Sequence, residues 1–222
     1  HKHLKTIKES VSIVDLKNYL TDGGVLYFIV FISKEGSKIY YLDLTPVRIK
    51  NILAKYAGQK SVMLSFKAFP DNNDEKLEVI SSFYRNKQMQ YSYSSVKIRH
   101  LEEILKDENL TKLSIPLSSS SRDNFEKMFL HQEEYYIYAH MKNQSIPEPV
   151  LDIWQNVWLG KEIEGDVIVG KKKYYDRYKV LENKDFFTLE IGESFTFTQN
   201  HSQNKLKIKY SPSNKLRVAE RD

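Results

Sequence analysis

The strongest hydrophobic pattern in the chain is a continuous run of apolar side chains at residues 25–32. The run is rich in β-branched and aromatic residues and contains no charge, which predicts a strand buried on both faces. Glu35 and Gly36 predict a turn after it, and residues 38–44 return as a second strand. The pattern therefore predicts a β-hairpin.

Helical periodicity alternates with strands through the rest of the first ninety residues. Asp15 occupies the position of a helix N-cap before a helix that reaches Leu20. Thr45 followed by Pro46 predicts the start of a second helix, because the missing N–H of proline costs nothing at the first helical position. The other elements predicted here are strands at residues 10–14 and 62–66 and a helix at residues 74–89.

The pattern changes at residues 92–95, after which turn residues recur at short intervals. Residues 98–105 predict a short amphipathic helix, and residues 121–131 predict another. The strands predicted downstream are at residues 135–141, 166–169, 174–181, 186–191, 194–198 and 206–210.

These elements predict an α+β protein with two modules. Residues 1–93 are predicted to form a mixed-sheet α/β module, and residues 94–222 are predicted to form short helices followed by a β-rich module. Because the chain opens at His1 rather than methionine, we expect the first module to be truncated at its N-terminus.

Composition narrows the class of protein. The chain has no cysteine, which excludes disulfides, thiolate zinc sites and a cysteine nucleophile, and which favours a reducing cytoplasm. The longest apolar run is much shorter than the roughly 20 residues of a membrane helix, so we predict a cytoplasmic protein without a membrane partner.

Charge is distributed unevenly along the chain. Residues 1–94 carry 14 basic and 9 acidic side chains, residues 95–164 carry 8 and 12, and residues 165–222 carry 12 and 8. A basic, acidic, basic order fits either internal pairing of the segments or two basic surfaces for a polyanion.

The order of elements at residues 10–20, 25–33 and 38–44 resembles the second half of the restriction-endonuclease-like, PD-(D/E)xK, core of uncharacterised bacterial domains. The resemblance covers roughly the first third of the chain. It implies a nuclease-like layout, in which an acid-x-Lys motif on a preceding strand holds magnesium and orients the attacking water. That motif would lie before His1, so the resemblance implies magnesium only if an upstream acidic motif exists.

Two short segments match acid-x-Lys within the chain itself. Asp15-Leu16-Lys17 is better explained by a helix cap, and Glu182-Asn183-Lys184 by a solvated turn. Neither has a second carboxylate placed to share a metal ion, so we assign no metal ligand and leave the catalytic residues unknown.

Histidines and tryptophans give no further site. The six histidines lack the paired spacing of a zinc site, and His140 alternates with tyrosines as a strand histidine with a satisfied hydrogen bond does. Trp154 and Trp158, four residues apart, are interpreted as a core pair.

One segment combines cations with aromatic rings, as surfaces that bind single-stranded nucleic acid do. Lysines can neutralise phosphates there, while tyrosines stack on bases. The alternative is a solvent-exposed hairpin whose lysines keep a strand edge soluble. The candidate nucleic-acid-binding residues are Lys171, Lys172, Lys173, Tyr174, Tyr175 and Arg177, with Lys171, Lys172 and Lys173 predicted at the turn of a hairpin.

We therefore expect a bacterial cytoplasmic protein associated with nucleic acid, in DNA metabolism or defence, whose nuclease-like core lacks its active-site segment in this chain. A non-catalytic module that binds a protein partner through its β-rich part is the alternative. A third reading is a hydrolase whose site assembles only in space.

Overall fold

The computed structural model describes residues 6–34, 36–117, 129–130, 132, 134–155, 157–203 and 205–210. Strands account for 49% and helices for 24% of these residues, and the strands form three antiparallel sheets. The prediction of an α+β protein with a mixed-sheet, nuclease-like α/β first module is therefore wrong. The physical reason is that every strand of the first ninety residues pairs antiparallel with its neighbour, so no helix there is a crossover between adjacent parallel strands.

The first sheet contains four strands in the order β1-β4-β3-β2. Alternate side chains of β3 and β4 are buried on one face, including Leu42, Leu44, Leu64 and Phe66. The predicted hairpin is confirmed, since Ser33 pairs with Gly36 at its end. The strands are β1 Thr6–Ser12, β2 Val25–Ser33, β3 Gly36–Leu44 and β4 Ser61–Ala68.

Strand β2 is not buried on both faces, as its continuous apolar run predicted. It lies at the edge of the sheet, where Val30 is 54% and Ile32 is 85% exposed. An apolar run in the sequence shows only which side chains of a strand are apolar. The position of the strand in the sheet decides how many of them are buried.

The described residues include the α-helices α1 Ile13–Thr21, α2 Pro46–Lys55, α3 Asn73–Gln90 and α4 Leu101–Ile104, and a 3-10 helix at Tyr91–Tyr93. The predicted start at Thr45 and Pro46 is confirmed. The predicted N-cap at Asp15 is wrong, because the Ser12 hydroxyl accepts from the N–H groups of Val14 and Asp15. Asp15 instead lies in the first turn, where its carboxylate interacts favourably with the positive end of the helix dipole.

The second sheet has the order β5-β6-β7. The hydrophobic pattern predicts only the central strand of this sheet, because β5 is short and β7 carries Pro149 near its start. Most of the predicted helix at residues 121–131 lies outside the described residues. The strands are β5 Leu110–Ser114, β6 Glu134–Met141 and β7 Glu148–Gln155.

A buried polar network joins β6 to the helices. The Gln90 side chain accepts from the Val47 N–H at 3.0 Å and donates to the Tyr138 hydroxyl at 2.9 Å. The Tyr138 hydroxyl donates to Asn86 Oδ1 at 2.8 Å. Since Gln90 and Tyr138 are fully buried, these bonds satisfy groups that water cannot reach.

The third sheet contains five strands in the order β12-β11-β10-β9-β8. All five predicted strands of this segment are present, and the strand predicted at residues 166–169 is the end of a longer one. The strands are β8 Leu159–Val169, β9 Lys172–Glu182, β10 Phe186–Ile191, β11 Phe195–Asn200 and β12 Lys205–Tyr210.

The chain divides into two compact units. One contains His1–Leu117 and Tyr135–Ile153, and the other contains Ser118–Glu134 and Trp154–Asp222. The predicted modules of residues 1–93 and 94–222 stay a prediction. Among the described residues, no helix combines the length and apolar composition required to cross a membrane.

Candidate nucleic-acid interface

The two faces of the five-stranded sheet differ in composition, and we call the one with more polar side chains the polar face. Strand alternation and the pairing register place Val180, Leu189, Phe197 and Ile208 in one row across neighbouring strands. The next residues along those strands face the other way. The polar face carries Glu162, Lys179, Arg177, Glu190, Thr188, Thr196, Thr198, Asn200, Lys205, Lys207 and Lys209, together with the apolar Leu181 and Phe186.

The predicted candidate residues lie in a hairpin formed by β8 and β9. Val169 pairs with Lys172, so the turn is formed by Gly170 and Lys171. Lys171 therefore lies at the turn as predicted, whereas Lys172 and Lys173 already belong to β9. Two register irregularities interrupt the ladder near its tip.

Two of the four candidate cations form ion pairs within the hairpin. The Lys173 ammonium contacts the Asp166 carboxylate at 2.5 Å, and this hydrogen bond raises the pKa of Lys173 above its ordinary value. Arg177 Nη1 lies 3.6 Å from Glu162 Oε1, and Arg177 Nε lies 3.4 Å from Asp176 Oδ1. These two side chains are consequently less available to an external anion than the sequence alone implied.

The other candidate residues differ in their surroundings. Lys172 Nζ lies 5.6 Å from the ring centroid of Tyr174, whose side chain is 45% exposed. The Tyr175 ring instead packs at the β10–β11 turn, where a Cβ atom on Gly192 would lie 2.5 Å from it. All the candidate residues except Tyr175 are exposed, and Lys171 and Lys172 are the candidate cations without an ion pair to a described residue.

Strand β12 carries a second group of cations, which is not among the predicted site residues. Lys205, Lys207 and Lys209 alternate along the strand, so they share the polar face, and all three are exposed. None has an ion pair with a described residue. Their cross-strand neighbours on β11 are Asn200, Thr198 and Thr196, which are neutral hydrogen-bonding side chains. We call these six residues the lysine ladder.

A sequence signal for the lysine ladder exists. Residues 205–210 alternate strictly between lysine and an apolar residue, which is the pattern of a strand with one cationic face. The consecutive lysines at 171–173 are more conspicuous in the sequence. Adjacent residues of a strand lie on opposite faces, however, so such a run does not place all its charges on one face.

Acidic side chains on the polar face lie toward β8 and β10. Lys179 contacts Glu190 at 4.0 Å, and Glu162 pairs with Arg177. Glu162 and Glu190 therefore have cations of their own, whereas the lysines of the lysine ladder have no ion pair with a described residue.

The two acid-x-Lys segments lie in ordinary structural positions. Asp15 and Lys17 are exposed on α1. Glu182 ends β9, and Asn183 Oδ1 accepts from the N–H groups of Asp185 and Phe186 to close the following turn. Within the described residues, no three His, Asp or Glu side chains converge as a metal ion would require.

The remaining predictions concern His140 and the two tryptophans. His140 Nε2 lies 2.8 Å from the Ser114 hydroxyl on the neighbouring strand, which confirms a satisfied strand histidine. Trp158 is 41% exposed and stacks on Phe186, with ring centroids 6.3 Å apart, so it does not form a core pair with Trp154.

Comparison of the chain with protein-family models, curated proteins and solved structures finds no match. The resemblance to the restriction-endonuclease-like core therefore stays a prediction.

Proposed function

We propose that this protein is a cytoplasmic bacterial protein that binds nucleic acid through the polar face of its five-stranded sheet. The observation that carries the proposal is the lysine ladder, which presents three cations in a row on an exposed strand, none of them ion-paired with a described residue. Its role in DNA metabolism or defence belongs to the same proposal.

The geometry suits a phosphate backbone. Lysines at every second residue of a strand are about 6.8 Å apart, which is on the scale of successive phosphates in an extended nucleic-acid strand. Threonine and asparagine side chains beside each lysine can donate to phosphate oxygens. Such contacts position a nucleic acid without reading its bases, so we expect binding that is independent of sequence.

The hairpin tip supplies a second contact. Lys171 and Lys172 provide charge, and the exposed ring of Tyr174 provides a surface on which a base can stack. Since stacking requires an unpaired base, this contact favours single-stranded over double-stranded nucleic acid.

The test compares binding of fluorescein-labelled single-stranded and duplex DNA across salt concentrations. Affinity falls with salt, and each phosphate contact on a single strand contributes about 0.7 to the steepness of log affinity against log salt. The triple variant Lys205→Ala, Lys207→Ala and Lys209→Ala should therefore make this dependence shallower by about 2. The matched control is Lys173→Ala, Arg177→Ala and Lys179→Ala, which removes the same charge from ion-paired cations. Equal losses in both variants would mean that net charge, and not the lysine ladder, determines binding.

The alternative function is a module that binds a protein partner. The observation in its favour is that the apolar side chains of β12 are exposed, with Leu206 at 55%, Ile208 at 58% and Tyr210 at 61%. Absence of any salt-dependent binding to either DNA probe would favour this function.

A further inference from the structure

The free edge of strand β2 is unlike the other sheet edges. The six edge strands of the three sheets are β1, β2, β5, β7, β8 and β12. Among these described strands, only β2 lacks a charged residue. Charged side chains on an edge strand prevent pairing with other chains, so β2 lacks the usual protection.

The backbone register shows which residues of β2 present hydrogen-bonding groups at this edge. The Ile39 carbonyl accepts from the Phe69 N–H at 2.8 Å, so the backbone groups of Ile39 point toward β4. Ile39 is the partner of Val30, and this pair is therefore not hydrogen-bonded between β2 and β3. The N–H and carbonyl of Val30, and by alternation those of Leu26, Phe28 and Ile32, consequently point outward.

The same residues carry exposed apolar side chains. Phe28 is 39%, Val30 is 54% and Ile32 is 85% exposed. Backbone donors and acceptors combined with apolar side chains fit one kind of partner, which is another β-strand.

We propose that β2 pairs antiparallel with β2 of a second copy of this chain. A two-fold axis at Ile29, the central residue of the strand, places Phe28 opposite the partner's Val30 and Leu26 opposite the partner's Ile32. Aromatic and β-branched side chains opposite one another are favourable cross-strand pairs. Because β2 has no charge, no like charges meet, whereas self-pairing of β12 would bring lysines together.

The resulting dimer contains one continuous sheet of eight strands. It satisfies the outward backbone groups of both copies of β2 and covers the exposed side chains of Val30 and Ile32. This inference does not depend on the proposed nucleic-acid binding, because it concerns a different sheet.

The first measurement is the mass of the full chain by sedimentation velocity over a dilution series. We expect dimers that dissociate to monomers on dilution. A chain that stays monomeric at the highest attainable concentration would overturn the proposal and leave the edge to a different partner.

The second measurement tests the register with two double variants. Phe28→Lys with Val30→Lys opposes like charges across the two-fold axis and should weaken dimerisation by at least about 100-fold. Phe28→Glu with Val30→Lys opposes unlike charges and should retain the dimer. Equal dimerisation of the two folded variants would overturn the register.

A third pair of variants distinguishes the contribution of the backbone N–H to dimerisation from that of the side chain. Val30→Pro removes an outward N–H, which an edge strand tolerates, and should yield a folded monomer. Val30→Thr keeps the N–H and the β-branched shape and should remain dimeric. Circular dichroism confirms that both are folded, and a dimeric Val30→Pro variant would contradict pairing through this edge.

Discussion

Single buried side chains hold β6 against the helices. The Tyr138 hydroxyl links Gln90 to Asn86, and each of these groups is more than nine-tenths buried. Loss of one partner leaves the others without a substitute, since water cannot enter a fully packed site.

Tyr138→Phe is therefore expected to reduce the free energy of unfolding by about 1–3 kcal/mol, because the Gln90 and Asn86 amides lose a buried partner. Tyr84→Phe, at a side chain that is 61% exposed, should change it by less than about 0.5 kcal/mol. Urea denaturation of both variants is the measurement. Equal stabilities would show that the network contributes nothing.

Two turn glycines with positive φ provide a matched pair at the same scale. Gly192 has φ +55° and Gly170 has φ +65°, but only Gly192 has a side chain, Tyr175, within 4 Å of an added Cβ. Gly192→Ala should destabilise by about 1–3 kcal/mol more than Gly170→Ala, because it adds overpacking to a similar backbone cost. Chemical denaturation measures the difference, and identical effects would exclude the contact with Tyr175.

At the scale of one element, strand β6 concentrates three buried tyrosines. Burial raises the pKa of Tyr135 to about 12 and raises the pKa values of Tyr136 and Tyr138 well above the ordinary value. The cause is desolvation, which penalises the charged phenolate.

This arrangement predicts a loss of stability at high pH. An unfolded tyrosine ionises near pH 10, so above that pH the unfolded chain binds fewer protons than the folded one. The contribution of Tyr135 is complete below about pH 10 and is lost as pH rises toward 12. The free energy of unfolding, measured by urea at a series of alkaline pH values, should fall less steeply for Tyr135→Phe than for the wild type. Tyr84→Phe is the control, and an unchanged slope for Tyr135→Phe would contradict the assignment.

For the whole molecule, the decisive question is whether the chain cleaves nucleic acid or only binds it. The acids near the amino terminus are all exposed, with Glu9 on β1, Asp15 in the first turn of α1 and Asp22 at the C-cap of the same helix. Hydrolysis of the type implied by the resemblance requires carboxylates and a lysine around one metal ion.

We therefore expect residues 1–222 to leave single-stranded and double-stranded DNA intact in the presence of magnesium or manganese. Gel electrophoresis after prolonged incubation measures this, with Asp15→Ala in parallel. Cleavage by the wild type that is abolished by Asp15→Ala would show that Asp15-Leu16-Lys17 is an active-site motif after all.

The amino-acid sequence by itself determined where most elements lie. The strand predicted at residues 186–191 is β10, and the helix predicted at residues 74–89 is α3. Periodicity, capping residues and turn residues act within a few positions of the chain, so the local sequence contains this information. The prediction of a satisfied strand histidine at His140 is confirmed for the same reason, since strand alternation is a local pattern.

Only the tertiary structure decided which strands are neighbours, and the candidate surfaces follow from that choice. Strand order placed β2 at an edge, although its apolar run indicated a buried strand, and made every pairing antiparallel. Pairing also brought Asp166 to Lys173 and Glu162 to Arg177, while it left Lys205, Lys207 and Lys209 beside neutral residues. These outcomes depend on contacts between residues far apart in the chain, whose free energies compete across the whole sheet and leave no local pattern.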